Sequence, residues 1–317
     1  MSLLTLLTWA IVSLSSSFMR AAPDYEAPLE NQMMMGALVQ TFETHRYWVK
    51  VQAEDYSGWV TETGLAFISD EQKDAYLAAA KWIFVAEYGR VREAPSERSA
   101  PLCDITMGDL LLQTGESDGA WIKVQLPSGR QGWVLSHELM DFRLWAESRS
   151  GTACSSDPAV RGESMAPGSI ETDFCAREIC QLACSFAGTP YMWGGNTVKY
   201  FDCSGLVKFC YFMNGILLPR NSGQQQKCGT PVTDGNYKAG DLLFFGSSKP
   251  FKVTHVALYI GEGRIVHSSK LVQINTLEEY GREVIAASRI IEDIDDGKGA
   301  VTLLRNPWYF AQDGDKE

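Results

Sequence analysis

Two stretches of the chain repeat one short pattern, and this repeat limits the fold of the N-terminal half more than any other feature. The pattern W-x-K-V-Q followed by G-W-V occurs at Trp48–Gln52 with Gly58–Val60, and again at Trp121–Gln125 with Gly132–Val134. Alternating apolar and polar residues in each copy are typical of half-buried strands. A repeat of about 60 residues with several short strands predicts two small β-barrels, which we place at residues 24–78 and 81–140.

The segments that flank the predicted barrels differ from them in composition. Residues 3–14 form an apolar run that is too short to span a bilayer, and the small residues Ala21 and Ala22 follow it. We therefore predict a signal peptide at residues 1–22 and an exported protein, periplasmic or extracellular, with a buried helix as the alternative for this run. Residues 141–168 are rich in Ser, Gly, Ala and Pro and are predicted to be a linker. No later apolar run is long enough for a transmembrane helix, so no integral membrane span is expected.

Charge and cysteine spacing argue against several classes of function. The net charge is −11 and the Lys and Arg residues are not clustered, so a nucleic-acid partner is not expected. None of the eight cysteines forms C-x-x-C, the spacing typical of zinc ribbons and thioredoxin-like redox sites, and no metal ion or organic cofactor is predicted. Cys175, Cys180 and Cys184 are best interpreted as small buried side chains, with disulfides as the alternative in an exported protein.

The segment around Cys203 has the strongest chemical signal in the chain. The motif D-C-S-G at residues 202–205 opens an apolar run whose spacing is typical of a helix with a buried face. Cys203 is therefore predicted at a helix N-terminus, where the helix dipole lowers the pKa of a thiol and favours the reactive thiolate. A lone cysteine is more often structural, so the chemical interpretation depends on a base elsewhere in the chain.

Two of the four histidines lie close together on a predicted hairpin. The strand-like segments T-H-V-A-L-Y-I-G at residues 254–261 and R-I-V-H at residues 264–267 are joined by a short turn. His255 and His267 should then lie nearly opposite each other, either as hydrogen-bonded core histidines or as a functional pair. Together with Cys203 they would supply the base, the orienting group and the nucleophile of a cysteine peptidase, with a thiolate–imidazolium pair.

Six motifs occur in the order in which they occur in NlpC-like peptidases: YMWGG, FDCSGLV, LPRNSGQQ, AGDLLFF, VTHVALYIG and IVHSS. Over about residues 170–305 the chain resembles this family, and both upstream units resemble bacterial SH3-like domains. The resemblance implies an α+β fold in which a papain-like, NlpC-type domain at residues 169–312 follows two small SH3-like β-barrels. It also implies that Cys203 is the nucleophile, His255 the base and His267 the third polar residue, with the backbone N–H of Cys203 as an oxyanion donor.

With two SH3-like units, the chain resembles the branch of the family that releases L-Ala-γ-D-Glu from murein peptides. The resemblance implies a γ-D-glutamyl-L-diamino acid endopeptidase that acts as a monomer. Its partner would be a murein peptide with a free N-terminal L-Ala. The resemblance places Asp202, Ser204 and Tyr56 against this substrate, with Asp202 and Tyr56 at the free amine.

Two further substrate contacts have alternatives at the level of the sequence. Pro28 stands where the family has a Glu, and either Glu30 or Glu26 would substitute for it. Arg220 has a guanidinium fork that matches the free carboxylate of D-Glu, or else it is a structural surface charge.

Three other functions fit parts of this pattern. A general peptidoglycan endopeptidase would act on intact wall rather than on released peptides. A non-catalytic wall-binding protein would use the SH3-like units alone, although an inert domain has no need of Cys203, His255 and His267 together. A papain-like acyltransferase would place its cysteine after the histidines, whereas D-C-S-G precedes them here.

Overall fold

The structure, a computed structural model, describes residues 8–150 and 170–311 and divides into two compact units. The first unit contains the described residues up to Trp145 and those from Pro307 onwards, and the second contains Ala146–Asn306. The α+β class predicted from the sequence is confirmed, because the first unit is built mainly from strands and the second combines helices with a sheet.

The first unit contains two sheets that repeat one topology. The first barrel consists of β1 (Trp9–Val12), β2 (Ser17–Arg20), β3 (Leu29–Met33), β4 (Leu38–His45), β5 (Trp48–Gln52), β6 (Ser57–Thr61) and β7 (Leu65–Ile68), followed by α1 (Asp70–Ala78). The second barrel consists of β8 (Lys81–Phe84), β9 (Tyr88–Arg92), β10 (Pro101–Thr106), β11 (Leu110–Asp118), β12 (Trp121–Gln125), β13 (Gln131–Leu135) and β14 (Leu139–Asp141), followed by α2 (Phe142–Ser150). Both sheets are seven-stranded, in the orders β3-β2-β6-β5-β4-β1-β7 and β10-β9-β13-β12-β11-β8-β14. Each strand of the first barrel therefore has a counterpart in the second, as the sequence repeat predicts.

The residues that the two repeats have in common make the same packing contacts in both barrels. Nζ of Lys50 lies 5.9 Å from the centre of the Trp59 ring, and Nζ of Lys123 lies 5.8 Å from the centre of the Trp133 ring. These cation–π contacts hold the outer faces of neighbouring strands together. The glycine before the tryptophan allows a close strand approach, since a Cβ added to Gly58 would lie 2.9 Å from a backbone oxygen of β2. The repeat is thus a packing pattern of the sheet.

The signal peptide predicted at residues 1–22 does not fit residues 8–22, which are part of the first barrel. Strand β1 pairs with β4 on one side and with β7 on the other. Ala10, Val12 and Met19 are fully buried in the barrel core. The first barrel therefore begins well before residue 24. A signal peptide and a core strand look alike in composition because both are apolar segments that leave water. Residues 1–7 lie outside the described residues.

The linker predicted at residues 141–168 begins as a helix instead. Helix α2 buries the side chains of Phe142 and Trp145, each 1% exposed. These apolar residues precede the Ser- and Gly-rich stretch, and their burial gives the helix a packed face. The rest of the predicted linker falls within residues 151–169, which lie outside the described part of the chain.

The peptidase domain predicted at residues 169–312 ends earlier in the structure, at Asn306. The residues that follow belong to the first unit. The ring of Trp308 lies 5.6 Å from that of Trp9, in an edge-to-face arrangement, and Phe310 is 5% exposed. The burial of large apolar rings lowers the free energy of the folded chain, which explains why this stretch is packed.

The second unit is built around one six-stranded antiparallel sheet. Its elements are α3 (Ile170–Ser185), β15 (Asn196–Thr197), β16 (Tyr200–Phe201), α4 (Cys203–Phe212), β17 (Ile216–Leu217), α5 (Ser222–Gln225), β18 (Thr230–Pro231), β19 (Leu242–Ser248), β20 (Phe251–Gly261), β21 (Arg264–Ser268), β22 (Val272–Thr276), α6 (Leu277–Tyr280), β23 (Val284–Arg289) and β24 (Val301–Thr302). The sheet has the order β18-β23-β19-β20-β21-β22. Helix α4 contacts α3 and β20, and β20 is the strand that carries His255.

The structure also shows the state of the described cysteines and the character of the described helices. All seven described cysteines are thiols, and Cys154 lies outside the described residues. Cys175 and Cys180 are buried, as expected of small apolar side chains, whereas Cys184 is half-buried. Within the same part of the chain, no helix is both long enough and apolar enough to cross a membrane.

Candidate active site

Cys203 is the first residue of α4, and its neighbours explain why the helix starts there. Asp202 has an extended conformation and caps the helix, since its Oδ1 accepts a hydrogen bond from the N–H of Gly205 at 2.7 Å. Leu206 and Val207 are each 1% exposed and anchor the first turn in the core. A capped and anchored first turn holds the backbone of Cys203 in a defined position.

The thiol of Cys203 lies among groups that act on its pKa in opposite directions. Burial and then the carboxylate of Asp202 raise the pKa, while backbone N–H groups of Val256 and Ser204 lower it, as does Arg220. Burial is the largest effect, and the pKa rises from the ordinary 9.0 to about 11. The prediction of a lowered pKa at the helix N-terminus is therefore wrong for this thiol, because loss of hydration outweighs the N–H donors.

His255 on β20 and His267 on β21 form one hydrogen-bonded pair. Nε2 of His255 lies 2.9 Å from Nδ1 of His267, and both side chains are buried. The predicted hairpin is confirmed, but its register pairs Leu258 with Val266. His267 is therefore offset diagonally from His255 and not directly opposite it. The two side chains still share a face of the sheet, because the side-chain period of a strand is two.

A third side chain, Asn275 on β22, extends this pair into a chain of hydrogen bonds. Its Oδ1 lies 3.1 Å from Nε2 of His267. Because an amide oxygen only accepts, His267 donates from Nε2 and its Nδ1 becomes an acceptor. His255 then donates from Nε2, which leaves its Nδ1 without a proton. This tautomer of His255 can take a proton from a thiol.

The environment keeps both histidines neutral. Burial, the neighbouring His267 and the cation of Arg282, in that order, lower the pKa of His255 from 6.5 to about 3. Burial also lowers the pKa of His267, and the hydrogen bond to Asn275 opposes this effect. Burial therefore favours a protonated thiol at Cys203 and a neutral imidazole at His255, and it acts against the thiolate–imidazolium pair predicted from the sequence.

The aromatic ring of Tyr280 packs against both histidines. Its ring centre lies 4.7 Å from that of His267 and 5.8 Å from that of His255. Phe245 packs edge-on against Tyr280 at 4.8 Å. Tyr280 is the last residue of α6, where Gly281 turns the chain with a φ of 65°, a conformation that glycine adopts without strain. The turn fixes the ring beside the imidazoles.

A second polar cluster surrounds the start of α4. Nη2 of Arg220 lies 2.5 Å from Oδ2 of Asp202, and Nη1 lies 3.0 Å from Oγ of Ser204. The N–H of Gly194 donates to the same Asp202 oxygen at 2.9 Å. The side-chain amide of Gln225 donates to the carbonyl oxygen of Ser204 at 3.0 Å. Because these polar groups satisfy one another, they remain buried without a large penalty.

These contacts change the roles predicted for Asp202, Ser204 and Arg220. Arg220 is 1% exposed and bonded to the other two side chains, so it is neither a surface charge nor open to a substrate carboxylate. Asp202 and Ser204 are each 6% exposed, and Arg220 already compensates the charge of Asp202. The prediction is therefore wrong for Arg220, and the geometry gives all three side chains a common role in holding the start of α4.

The two remaining predicted contacts lie in the first unit. The hydroxyl of Tyr56 donates a hydrogen bond to Oε2 of Glu30 on β3. Glu26 lies in the connection between β2 and β3, where its backbone N–H donates to Asp24. The structure therefore brings Glu30, and not Glu26, next to Tyr56. No Lys or Arg of the part of the chain that the structure describes forms an ion pair with Glu30.

Neither Asn275 nor Tyr280 was predicted from the sequence as part of this site. The alternation in V-Q-I-N-T marks residues 272–276 as a strand and places Asn275 on one of its faces. The pairing of His267 with Gln273 then brings Asn275 within reach of the histidine. This register depends on contacts between strands and is not visible in the spacing of the residues.

Comparison with protein families agrees with this geometry. Residues 188–288 match the NlpC/P60 family, residues 19–65 match the bacterial dipeptidyl-peptidase SH3 domain, and residues 87–140 match the bacterial SH3 domain. The first of these matches contains the motif D-C-S-G and both histidines of the hairpin.

Individual relatives cover most of the chain. The γ-D-glutamyl-L-lysine dipeptidyl-peptidase of Bacillus cereus is 27% identical over 274 residues, which are 80% of this chain and 73% of that protein. Dipeptidyl-peptidase 6 of Lysinibacillus sphaericus is 27% identical over 281 residues, which are 85% and 92% of the two chains. The crystal structure of an NlpC/P60 family protein from Bacillus cereus has the same fold, with a TM-score of 0.70 at 23% identity over 89% of this chain and 99% of that one. The chain therefore contains an NlpC/P60 domain behind two bacterial SH3 domains, and these similarities indicate a cysteine peptidase.

Proposed function

We propose that this peptidase hydrolyses the bond between γ-D-Glu and a diamino acid in murein peptides and releases L-Ala-γ-D-Glu. The observation that carries the proposal is the hydrogen-bonded chain of His255, His267 and Asn275. The residue after His255 on β20, Val256, donates a backbone hydrogen bond to the thiol of Cys203. The names of the Bacillus cereus and Lysinibacillus sphaericus relatives, both dipeptidyl-peptidases, support the release of a dipeptide.

In the first half of the reaction, the acyl group is transferred to Cys203. Sγ attacks the carbonyl carbon of the scissile amide while its proton passes to Nδ1 of His255. The C–N bond then breaks, and the leaving amine takes that proton from His255. The neutral resting pair suits a proton transfer that accompanies the attack. The products of this step are a free diamino acid and a thioester on Cys203.

In the second half, water releases the dipeptide. His255 takes a proton from the attacking water and returns it to Sγ as the thioester breaks. The hydrogen bond to His267 stabilises the transient imidazolium of His255. We assign the backbone N–H of Cys203 to the oxyanion, because N–H groups in the first turn of a helix have no partner within the helix.

We assign the recognition of the free ammonium of L-Ala to Glu30 and Tyr56. A buried ammonium needs a charge partner, because its burial alone costs several kcal/mol. The charge of Asp202 is already compensated by Arg220. Glu30 has the hydroxyl of Tyr56 as its partner and, among the residues described, no cation. The charge-pairing role that the sequence suggested for Asp202 therefore passes to Glu30 in this proposal.

The substrate also determines the proposed location. A murein peptide lies in the wall or is released from it, so we propose an exported protein, periplasmic or extracellular, that acts as a monomer in the degradation or recycling of wall peptides. Residues 8–22 do not support this location, since they form part of the first barrel.

The proposal is tested by identifying products by mass spectrometry. L-Ala-γ-D-Glu-meso-diaminopimelate should yield L-Ala-γ-D-Glu and diaminopimelate. The rate for its N-acetyl form should be lower by a factor of about 100 or more, because a site that binds a free amine strongly rejects a blocked one. Equal cleavage of both would favour a general peptidoglycan endopeptidase. Binding to wall without cleavage would favour a non-catalytic wall-binding protein. Cys203→Ala is the control for contaminating activity.

A further inference from the structure

Arg282 is an exposed cation beside the proposed catalytic histidines. It follows Gly281 at the end of α6, and its Nη1 lies 3.3 Å from the hydroxyl oxygen of Tyr280. Its Cζ lies 5.9 Å from the centre of the Tyr280 ring. The same ring lies 4.7 Å from that of His267. A single tyrosine therefore lies between the guanidinium and the histidine pair.

Electrostatic effects connect Arg282 with the reacting groups. After burial and His267, the charge of Arg282 is the next cause that lowers the pKa of His255. Burial raises the pKa of Tyr280, the hydrogen bond and the charge of Arg282 lower it, and the charge of a Cys203 thiolate raises it. The Tyr280 ring contacts both imidazoles and the guanidinium, so these groups lie in one region.

Arg282 has no acidic partner in the part of the chain that the structure describes. Other arginines of the second unit do: Arg220 pairs with Asp202, and Arg264 pairs with Glu262. Burial and His267 are the larger causes of the lowered pKa of His255, and the charge of Arg282 lowers it further and makes this imidazole a weaker base. An anionic group of the substrate would offset this effect when it binds.

We propose that Arg282 is a specificity-determining residue that binds a free carboxylate of the substrate next to the scissile bond. The inference rests on the proposed function. A γ-linked D-Glu keeps its α-carboxylate, and the diamino acid keeps its own, so both sides of the scissile amide carry an anion. A guanidinium holds a carboxylate through two charge-assisted hydrogen bonds, which fix its position as well as its charge. The carboxylate contact considered for Arg220 belongs to Arg282 instead.

The test compares kcat/KM for three peptides. They are L-Ala-γ-D-Glu-L-Lys, the same peptide with the D-Glu α-carboxylate converted to an amide, and the same peptide with the Lys carboxylate converted to an amide. For the wild type and the control Arg264→Gln, kcat/KM should be about 10- to 100-fold lower for one of the two amides than for the parent peptide, as expected for a lost charge-assisted contact. For Arg282→Gln, kcat/KM for the parent peptide should be lower than that of the wild type by a similar factor. This variant should cleave the parent peptide and that amide equally well. The amide that is discriminated identifies the carboxylate, and Arg282→Lys should keep part of the preference.

Each outcome has a definite consequence. Equal cleavage of all three peptides by the wild type, or an unchanged preference in Arg282→Gln, would overturn the role of Arg282 while leaving the proposed function in place. No cleavage of any of them by the wild type would overturn the proposed function and this inference with it. Thermal unfolding checks that Arg282→Gln is folded. If it is not, the wild-type preference and its reduction in Arg282→Lys decide the question.

Discussion

The second unit contains two buried polar clusters, one at the start of α4 and one on the sheet, and they differ in charge. Asp202 and Arg220 form an ion pair in which each residue is almost fully buried, with Ser204 bonded to both. His255 and His267 form a neutral pair whose pKa values are both lowered by burial. In the first cluster the charged groups compensate each other, whereas the second cluster leaves Nδ1 of His255 without a proton.

This difference in charge indicates different roles: the ion pair stabilises the fold, and the neutral histidine pair is suited to proton transfer. A buried ion pair contributes only while both partners are present, because one buried charge left alone costs several kcal/mol. A neutral histidine chain costs less to bury, and its open nitrogen can accept a proton. The first cluster therefore holds the helix start that carries Cys203, and the second supplies the proposed base. The two clusters should respond differently to substitution.

The largest expected effect is the loss of activity in His255→Ala. Without a base, the thiol of Cys203 keeps its proton, and kcat/KM for the murein tripeptide should fall by about 10³-fold or more. The melting temperature should change little, because the removed group is neutral and its partner His267 keeps its bond to Asn275. His45→Ala, at an exposed histidine of the first barrel, is the matched control and should retain full activity. A His255→Ala protein with wild-type turnover would remove the base from the mechanism.

The opposite response is expected for Arg220→Met. It leaves the carboxylate of Asp202 buried without a cation and should reduce the free energy of unfolding by about 3–5 kcal/mol in urea denaturation. Arg264→Met, which breaks an exposed ion pair with Glu262, should cost less than about 1 kcal/mol. Adding Asp202→Asn to Arg220→Met should recover part of the loss, since the unpaired charge is gone. Equal costs for both arginine variants would mean that the buried pair has no special role.

The pH dependence of alkylation tests whether the histidine cluster is neutral at rest. Burial raises the pKa of Cys203 to about 11, so its thiolate fraction should still be rising above pH 9. The rate of iodoacetamide labelling at Cys203, followed by peptide mass spectrometry, should therefore rise about tenfold per pH unit from pH 7 to 10, whereas an ordinary thiol levels off above about 8.5. The pKa of His255, lowered to about 3, predicts no loss of the neutral base between pH 5 and 8. Fast labelling at pH 6 would show a preformed ion pair instead.

The smallest expected effect is that of Asn275→Leu. Removal of the amide oxygen frees His267 to adopt either tautomer, so a fraction of the molecules lacks the base form of His255. We expect kcat/KM to fall by about tenfold at unchanged stability, a partial loss typical of a positioning group. Asn275→Asp retains an oxygen acceptor and should keep most of the activity, with its pH profile displaced upward because a carboxylate favours the imidazolium. Equal losses in both variants would argue against control of the tautomer.

The two barrels share a sequence repeat, but they differ at the positions of Glu30 and Tyr56. Strand pairing of Arg20 with Leu29 in the first barrel corresponds to that of Arg92 with Pro101 in the second. The position of Glu30 is therefore occupied by Leu102 in the second barrel, and the G-W-V motif places Arg130 where the first barrel has Tyr56. The two domains share their packing residues, and the acid–phenol pair occurs in the first alone.

The sequence by itself determined the features that depend on near neighbours in the chain. These are the two repeated sheets, the helix that starts at Cys203 and the hairpin that carries both histidines. Strand alternation, helix caps and short turns are local, since each is set by residues a few positions apart. The proposed nucleophile and its proposed base could therefore be identified before any contact was known.

Only the tertiary structure decided which distant groups each side chain meets. It joined Arg220 to Asp202, brought Asn275 to His267, and turned the apolar run near residue 10 into a core strand. It also reversed the expected pKa shift at Cys203, because burial removes water from the thiol whatever its position in the helix. Partners, burial and charge compensation depend on the register of strands and on packing across the core, and the same local sequence is compatible with several of these arrangements.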